Sequence, residues 1–237
     1  MRTGHQCGML WGSSLAASAE VFRRTNGGSN SIAIAITISK FLAESFINRA
    51  RSLNCREIIG FDLSKNTDML KYMLKYIFLF DRKCVNLAER WIPEAIQSVV
   101  NNIDSKNYES GKDAVSCASE MAKQMGASDE EIVMVSGFAG GFGLTGNACG
   151  ALSAAVWLNN LSWCKKHPKK TPPFFKNQIA KEIIKIFKHK TNSEIVCRKI
   201  CGISFRTIDE HTEFIKNSGC ADLINLLATA KMDNSSK

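Results

Sequence analysis

Gly137-Phe138-Ala139-Gly140-Gly141-Phe142-Gly143-Leu144-Thr145-Gly146-Asn147-Ala148-Cys149-Gly150-Ala151 is the stretch that decides the fold. Gly137, Gly140, Gly141, Gly143 and Gly146 crowd into ten residues, and Cys149-Gly150 follows. Beyond Cys149 the chain turns small and apolar through Ala151, Leu152, Ala154, Ala155, Val156 and Leu158. This predicts a tight, glycine-dependent loop feeding the first turn of a closely packed helix. Cys149 then falls at the helix N-terminus, where free N–H groups and the helix dipole favour a thiolate. Cys149 is therefore the expected redox nucleophile or metal ligand. Gly141, Gly143, Gly146 and Gly150 are expected to bring backbone against a bound cofactor.

Gly141 to Gly146 also spells G-x-G-x-x-G, and Ile132-Val133-Met134-Val135 before it could pass as a strand. A dinucleotide site needs a βαβ unit and an acid about 20 residues further on. That neighbourhood holds Lys165, Lys166, His167, Pro168, Lys169 and Lys170 instead, and no Walker lysine follows the glycines. No nucleotide is expected.

Outward from this stretch the chain repeats. Thr3-Gly4-His5-Gln6-Cys7-Gly8-Met9-Leu10 parallels Thr145 to Leu152, with Cys149 lying 142 residues after Cys7. Cys55-Arg56-Glu57-Ile58-Ile59-Gly60 parallels Cys197-Arg198-Lys199-Ile200-Cys201-Gly202 at the same offset of 142. Cys84-Val85-Asn86-Leu87 parallels Cys220-Ala221-Asp222-Leu223 at an offset of 136. Two tandem copies of a small helical cysteine-bearing unit are predicted, over residues 1–104 and 112–231. The second copy adds helices over Asp113–Met125, with Cys117, and Asp129–Val135, whose Ser128 is the expected N-cap. The first copy opens inside its own glycine loop, and a truncated start is expected.

The remaining segments also read as helices: Ile32–Ser52, Asn66–Phe80, Cys84–Ile103 with a kink or restart at Pro93, Phe174–His189, Asn192–Ile200, Asp209–Asn217 and Cys220–Lys231. No stretch alternates convincingly as a strand. The class is all-α, with the copies joined near residues 104–111.

The 237 residues are 45% hydrophobic and 22% charged, which fits a globular chain. The longest apolar run, Ile32 to Ile38, is soon interrupted by Lys40 and Glu44, so membrane insertion is not expected. No secretory signal is visible, and a cytoplasmic location, with reduced thiols, is expected. The net charge of +9 lies partly in Lys165–Lys170 and Lys176–Lys190 and reads as a solvated basic face. No nucleic-acid module accompanies it, so nucleic acid is not an expected partner.

Nine cysteines remain to be explained. Cys117, Cys149, Cys197 and Cys220 make a full set in the second copy, and Cys7, Cys55 and Cys84 a partial one in the first. Helix ends meeting at one point would gather thiols where backbone N–H groups also point. An iron–sulfur cluster for electron transfer, held by Cys117, Cys149, Cys197 and Cys220, is the expected use of such a set; a metal-free thiol–disulfide relay is the alternative, and structural zinc lacks its usual close pairs. A basic interaction module with structural cysteines is a further alternative. Cys164 and Cys201 have no counterpart in the first copy and read as packing residues, although Cys201 lies one helical turn from Cys197. The four tryptophans read as core. Without C-x-x-C-H, covalent haem is not expected.

These residues resemble the family of redox-active proteins named for a C-GCAxxG-C-C cysteine pattern. Cys117 matches its first cysteine, Cys149-Gly150-Ala151 the signature, and Cys197 and Cys220 the last two. Ala154 replaces the final glycine of the signature in the second copy, and Met9 replaces its alanine in the first. The resemblance implies redox activity through the cysteines and a redox partner protein. It leaves open the substrate, enzymatic activity and homo-oligomerisation.

Overall fold

The computed structural model describes residues 4–78, 81–103, 113–171 and 177–230. Five helices form the first half: α1 (Gly8–Thr25), α2 (Ser29–Ala50), α3 (Cys55–Ile59), α4 (Asn66–Phe78) and α5 (Lys83–Ile103). Seven follow: α6 (Cys117–Gln124), α7 (Asp129–Ser136), α8 (Gly150–Lys166), α9 (Gln178–Lys190), α10 (Cys197–Cys201), α11 (Ile208–Lys216) and α12 (Ala221–Thr229). There is no strand among the described residues, and one isolated antiparallel bridge pairs Gln6 with Asn54. The all-α reading holds. The expected joint near 104–111 lies outside the described residues.

Local chemistry sets most boundaries. Asn26 adopts a left-handed φ of 59° and closes α1, its N–H donating to the Phe22 carbonyl. Ser116 and Ser128 each cap a helix in a reciprocal box, with Ser119 and Glu131 reaching back. α5 runs as one helix through Pro93, where a kink or restart was expected. Pro93 is exposed, so the carbonyl it leaves without an N–H donor faces water.

α2 is the centre of the first half. It is long and apolar enough to cross a membrane by length and composition. Here its apolar residues from Ile32 through Phe46 are buried except the half-buried Phe41, and the helix packs against α1, α5 and α7. Trp91 of α5 is fully buried, edge-on to Phe46, and its indole N–H donates to Ser45. In the second half α6, α8, α9 and α12 pack on one another. One hydrophobic cluster runs from Val21, Leu42 and Trp91 through Phe138 and Phe142 to Ile183 and Leu227. α7, expected to belong to the second unit, packs on α1 and α2 as well as α6.

The glycine loop sits where the halves meet. Its turns are closed by its own backbone, with the N–H of Gly143 donating to Gly137 and that of Gly146 to Gly140. Gly143 has φ 52°, and a Cβ there would overlap the backbone of Ser39 and Lys40 on α2. Gln6 reaches across to donate to the Gly141 carbonyl at 3.2 Å. Trp11 of α1 stands edge-on to Phe138 and Phe142, with centroids 4.6 and 5.2 Å away.

Candidate functional site: a buried cluster of five thiols

Four helix starts and one helix end converge beneath the glycine loop. Cys117 is the first residue of α6, Cys149 the N-cap of α8, and Cys197 the first residue of α10. Cys201 closes α10, and Cys220 caps α12 in a left-handed conformation with φ 60°. All five line one small cavity together with Phe205, His211 and Phe214. Cys117, Cys149 and Cys197 are buried, while Cys201 and Cys220 are half-buried. Cys201 Sγ lies 3.8 Å from Cys197 Sγ and 3.5 Å from Cys220 Sγ.

Three expectations change here. Cys201, read as a packing residue, is the middle sulfur of that chain. Cys197 opens its helix instead of ending it. The expected helix over Asn192–Ile200 is shorter because Asn192 and Ser193 both take left-handed φ values, 52° and 64°. They close α9 with the Ser193 N–H donating to the Lys188 carbonyl at 2.7 Å, and α10 begins only at Cys197.

The third correction concerns charge. Cys149 was expected to be a low-pKa thiolate, but burial, reinforced by Cys117, raises its pKa instead. The N–H groups of Leu152 and Ala151 act in the opposite sense and are outweighed. Burial likewise pushes the Cys117 thiol up to about 12, against the N–H of Gly140. The Cys197 contact is the largest cause holding Cys201 up, at about 12, while the Cys220 contact pulls the other way. Cys220 is raised first by its hydrogen bond to Cys201 and then by burial. Cys117, Cys149, Cys201 and Cys220 are thus all held above the ordinary thiol range.

Of the glycines expected to cradle a cofactor, all four lie against the chain's own atoms. Gly141 meets Ala148 and Asn147, Gly143 meets α2, and Gly146 meets the Arg198 side chain. At Gly150 a Cβ would overlap the Phe138 carbonyl and come within 3.2 Å of Cys117 Sγ. Its missing side chain therefore lets α6 and α8 bring Cys117 and Cys149 together. Among the described residues no three thiols, imidazoles or carboxylates are disposed to hold one metal ion.

Cys7, Cys55 and Cys84 also gather, as the N-cap of α1, the first residue of α3 and the second of α5. All three are half-buried. Burial raises the pKa of Cys7 and of Cys55, with Cys84 adding to both. The Tyr72 hydroxyl donates to Cys84 Sγ at 3.5 Å. Cys164 lies in the last turn of α8, away from both groups of sulfurs in the sequence of elements, and does not line the five-thiol cavity.

His211 was not singled out by the sequence reading. It is buried in the cavity wall, edge-on to Phe205, and its Nδ1 has no hydrogen-bond partner. Burial pushes its pKa down to about 4, against a hydrogen bond with the Val115 backbone. The signal was present: Ile208, His211, Thr212 and Ile215 share the buried face of α11 at helical spacing.

No curated protein and no solved structure matches the chain. A family model does, over residues 114–233, and its description reads "Putative redox-active protein (C_GCAxxG_C_C)". That span begins just before Cys117 and contains all five clustered thiols as well as the glycine loop, so the chain belongs to the C_GCAxxG_C_C family of redox-active proteins.

Proposed function

We propose that this chain carries out thiol–disulfide exchange through Cys201 and Cys220, with Cys197 as the alternative partner of Cys201. The observation that carries the reading is the continuous line of sulfurs at 3.8 and 3.5 Å, which needs only a small approach to reach a disulfide bond length. Cys201 and Cys220 are the half-buried members, so a disulfide borne by a partner protein can reach them from the surface. Cys201 is the attacking sulfur, since it is half-buried and stands between Cys197 and Cys220, either of which can resolve the mixed disulfide. Its thiolate attacks one sulfur of the partner disulfide and expels the other as a thiol, leaving a mixed disulfide. Cys220 then attacks Cys201 and releases the second thiol. One disulfide forms and one is lost, and the two cysteine protons leave on the partner's thiols.

Oxidised glutathione should therefore remove two free thiols, and peptide mapping should link Cys201 to Cys220. Cys201→Ser should abolish that link. Retention of all nine thiols after oxidation would overturn the reading.

A cysteine-held iron–sulfur cluster is the second reading. What supports it is that the N–H groups of Gly140, Ala151 and Leu152 act on the sulfurs of Cys117 and Cys149, as donors do around cluster thiolates. Cys117, Cys149, Cys197 and Cys220 would hold it, and it would supply one-electron transfer. Iron and sulfide found together in protein purified without oxygen would favour this reading.

We also read the halves as two copies of one unit. α1 and α8, α3 and α10, and α4 and α11 each begin 142 residues apart. The backbone bonds Arg56 N–H to Gly4 (3.0 Å) and Arg198 N–H to Gly146 (3.2 Å) occupy the same places.

A further inference from the structure

Exchange through Cys201 and Cys220 uses the half-buried sulfurs of the cluster and leaves Cys117 and Cys149 without a task. Both of these are buried. The cavity that all five thiols line has room for only about 10 Å³, the lower limit for a single water. No molecule bearing a disulfide can enter it. Only a sulfur already in its wall can therefore carry oxidation to Cys117 or Cys149.

Cys220 is placed to be that sulfur. It lines the cavity and is only half-buried, so it belongs to the surface and to the interior at once. It caps α12, Cys117 is the first residue of α6, and the two helices pack on each other. Cys220 and Ser218 both hold left-handed φ values, 60° and 65°, a conformation that is costly without glycine. Between them, a Cβ at Gly219 would overlap the ring and carbonyl of Phe214, so this turn is tightly fixed on α11. After burial, Cys220 is also the largest influence raising the Cys117 thiol. The next step inward is short. Gly150 directly follows Cys149, and a Cβ on it would come within 3.2 Å of Cys117 Sγ.

We propose that Cys117 and Cys149 form a second, internal dithiol that is oxidised by the Cys201–Cys220 disulfide, so that the cluster yields two disulfides instead of one. The inference rests on the thiol-exchange reading. Cys117, as thiolate, attacks Cys220 Sγ and breaks the Cys201–Cys220 bond. A Cys117–Cys220 disulfide forms, and Cys201 leaves as a thiol with the proton that Cys117 lost. Cys149 then attacks Cys117 Sγ, a Cys117–Cys149 disulfide forms, and Cys220 leaves with the proton from Cys149. Two thiols are oxidised and two are regenerated. Cys201 and Cys220 are then free to reduce a second partner disulfide. The internal disulfide is shielded from outside thiols and is reduced by the reverse route.

The test uses the full reduced chain under excess oxidised glutathione, alkylated at intervals and peptide-mapped. The Cys201–Cys220 link is expected first. As the oxidant is kept on the chain, Cys117 and Cys149 should also lose their free thiols and become linked to each other. Cys220→Ser should leave Cys117 and Cys149 free while Cys197 and Cys201 still link. The unsubstituted chain decides the question even if that variant fails to fold. A Cys201–Cys220 link with Cys117 and Cys149 still free would overturn this inference and leave the exchange reading standing. No link of either kind would overturn both. A Cys117–Cys149 link that forms undiminished in Cys220→Ser would overturn the inference as well, since oxidation would then arrive without the proposed carrier.

Discussion

Gly8 and Gly150 each directly follow a cysteine, Cys7 and Cys149, yet a methyl group would meet different fates at each. At Gly150 it overlaps the Phe138 carbonyl, and that backbone cannot yield without moving the glycine loop. Gly150→Ala should lower stability by roughly 1–3 kcal/mol, the range for forced overpacking and its backbone shifts. Gly8→Ala should be neutral or stabilising by about 0.5 kcal/mol, because alanine narrows the unfolded ensemble and the site is open. Denaturant midpoints of the two variants check the contrast. His211 sets a second prediction. Its folded pKa of about 4 lies below the ordinary 6.5, so the unfolded chain binds more protons between those values. The stability contributed by keeping this ring neutral is complete above pH 6.5 and is lost as pH falls toward 4. The loss should be on the order of 3 kcal/mol, and His211→Leu should flatten that window in pH-dependent unfolding. At this scale the sequence grouped Cys117, Cys149, Cys197 and Cys220, and the four line one cavity. It misjudged Cys201, because absence from a repeat says nothing about which way a side chain points.

Elements were legible where capping chemistry was explicit and illegible where backbone conformation decided. The boxes at Ser116 and Ser128 lie within the expected Asp113–Met125 segment and at the expected Ser128 cap. The Asn192–Ile200 segment failed as a helix because apolar spacing cannot reveal two consecutive left-handed residues. Those residues carry a cost that glycine does not. Ser193→Gly should therefore stabilise the fold by about 0.5–1 kcal/mol, measured by thermal or denaturant unfolding. A loss of stability would show that the Ser193 side chain makes a contribution larger than the backbone strain. α4 shows a different limit. Its apolar residues satisfy a helical period, but none is buried. Periodicity reports that a face is apolar and is silent on whether anything covers it.

At the scale of the whole molecule, the halves share one core. Trp11 wedges against Phe138 and Phe142, Gln6 bonds to Gly141, and α7 lies on α1 and α2. The two halves are therefore not independent folding units. Unfolding should be a single cooperative transition, with tryptophan fluorescence and far-UV circular dichroism coinciding. Trp11→Ala should cost about 2–4 kcal/mol, given that the ring is only partly buried. Its effect should appear in the midpoint of that one transition. Two separated transitions would show that the shared core is too weak to couple the halves.

The residues alone determined the all-helical class, the 142-residue spacing, the redox family and four of the five clustered thiols. These follow from local periodicity, from composition and from residue order, all of which survive in a linear string. Tertiary structure alone decided three other matters. The glycine loop seals the junction between halves, because its bare backbone meets α2 and Phe138. The Cys149 thiol is raised instead of lowered, because burial outweighs the N–H groups at the start of its helix. Leu70 and Met73 of α4 are exposed while Thr212 and Ile215 of α11 are buried, because a surface is defined by what packs on it, and that is a property of distant segments brought together.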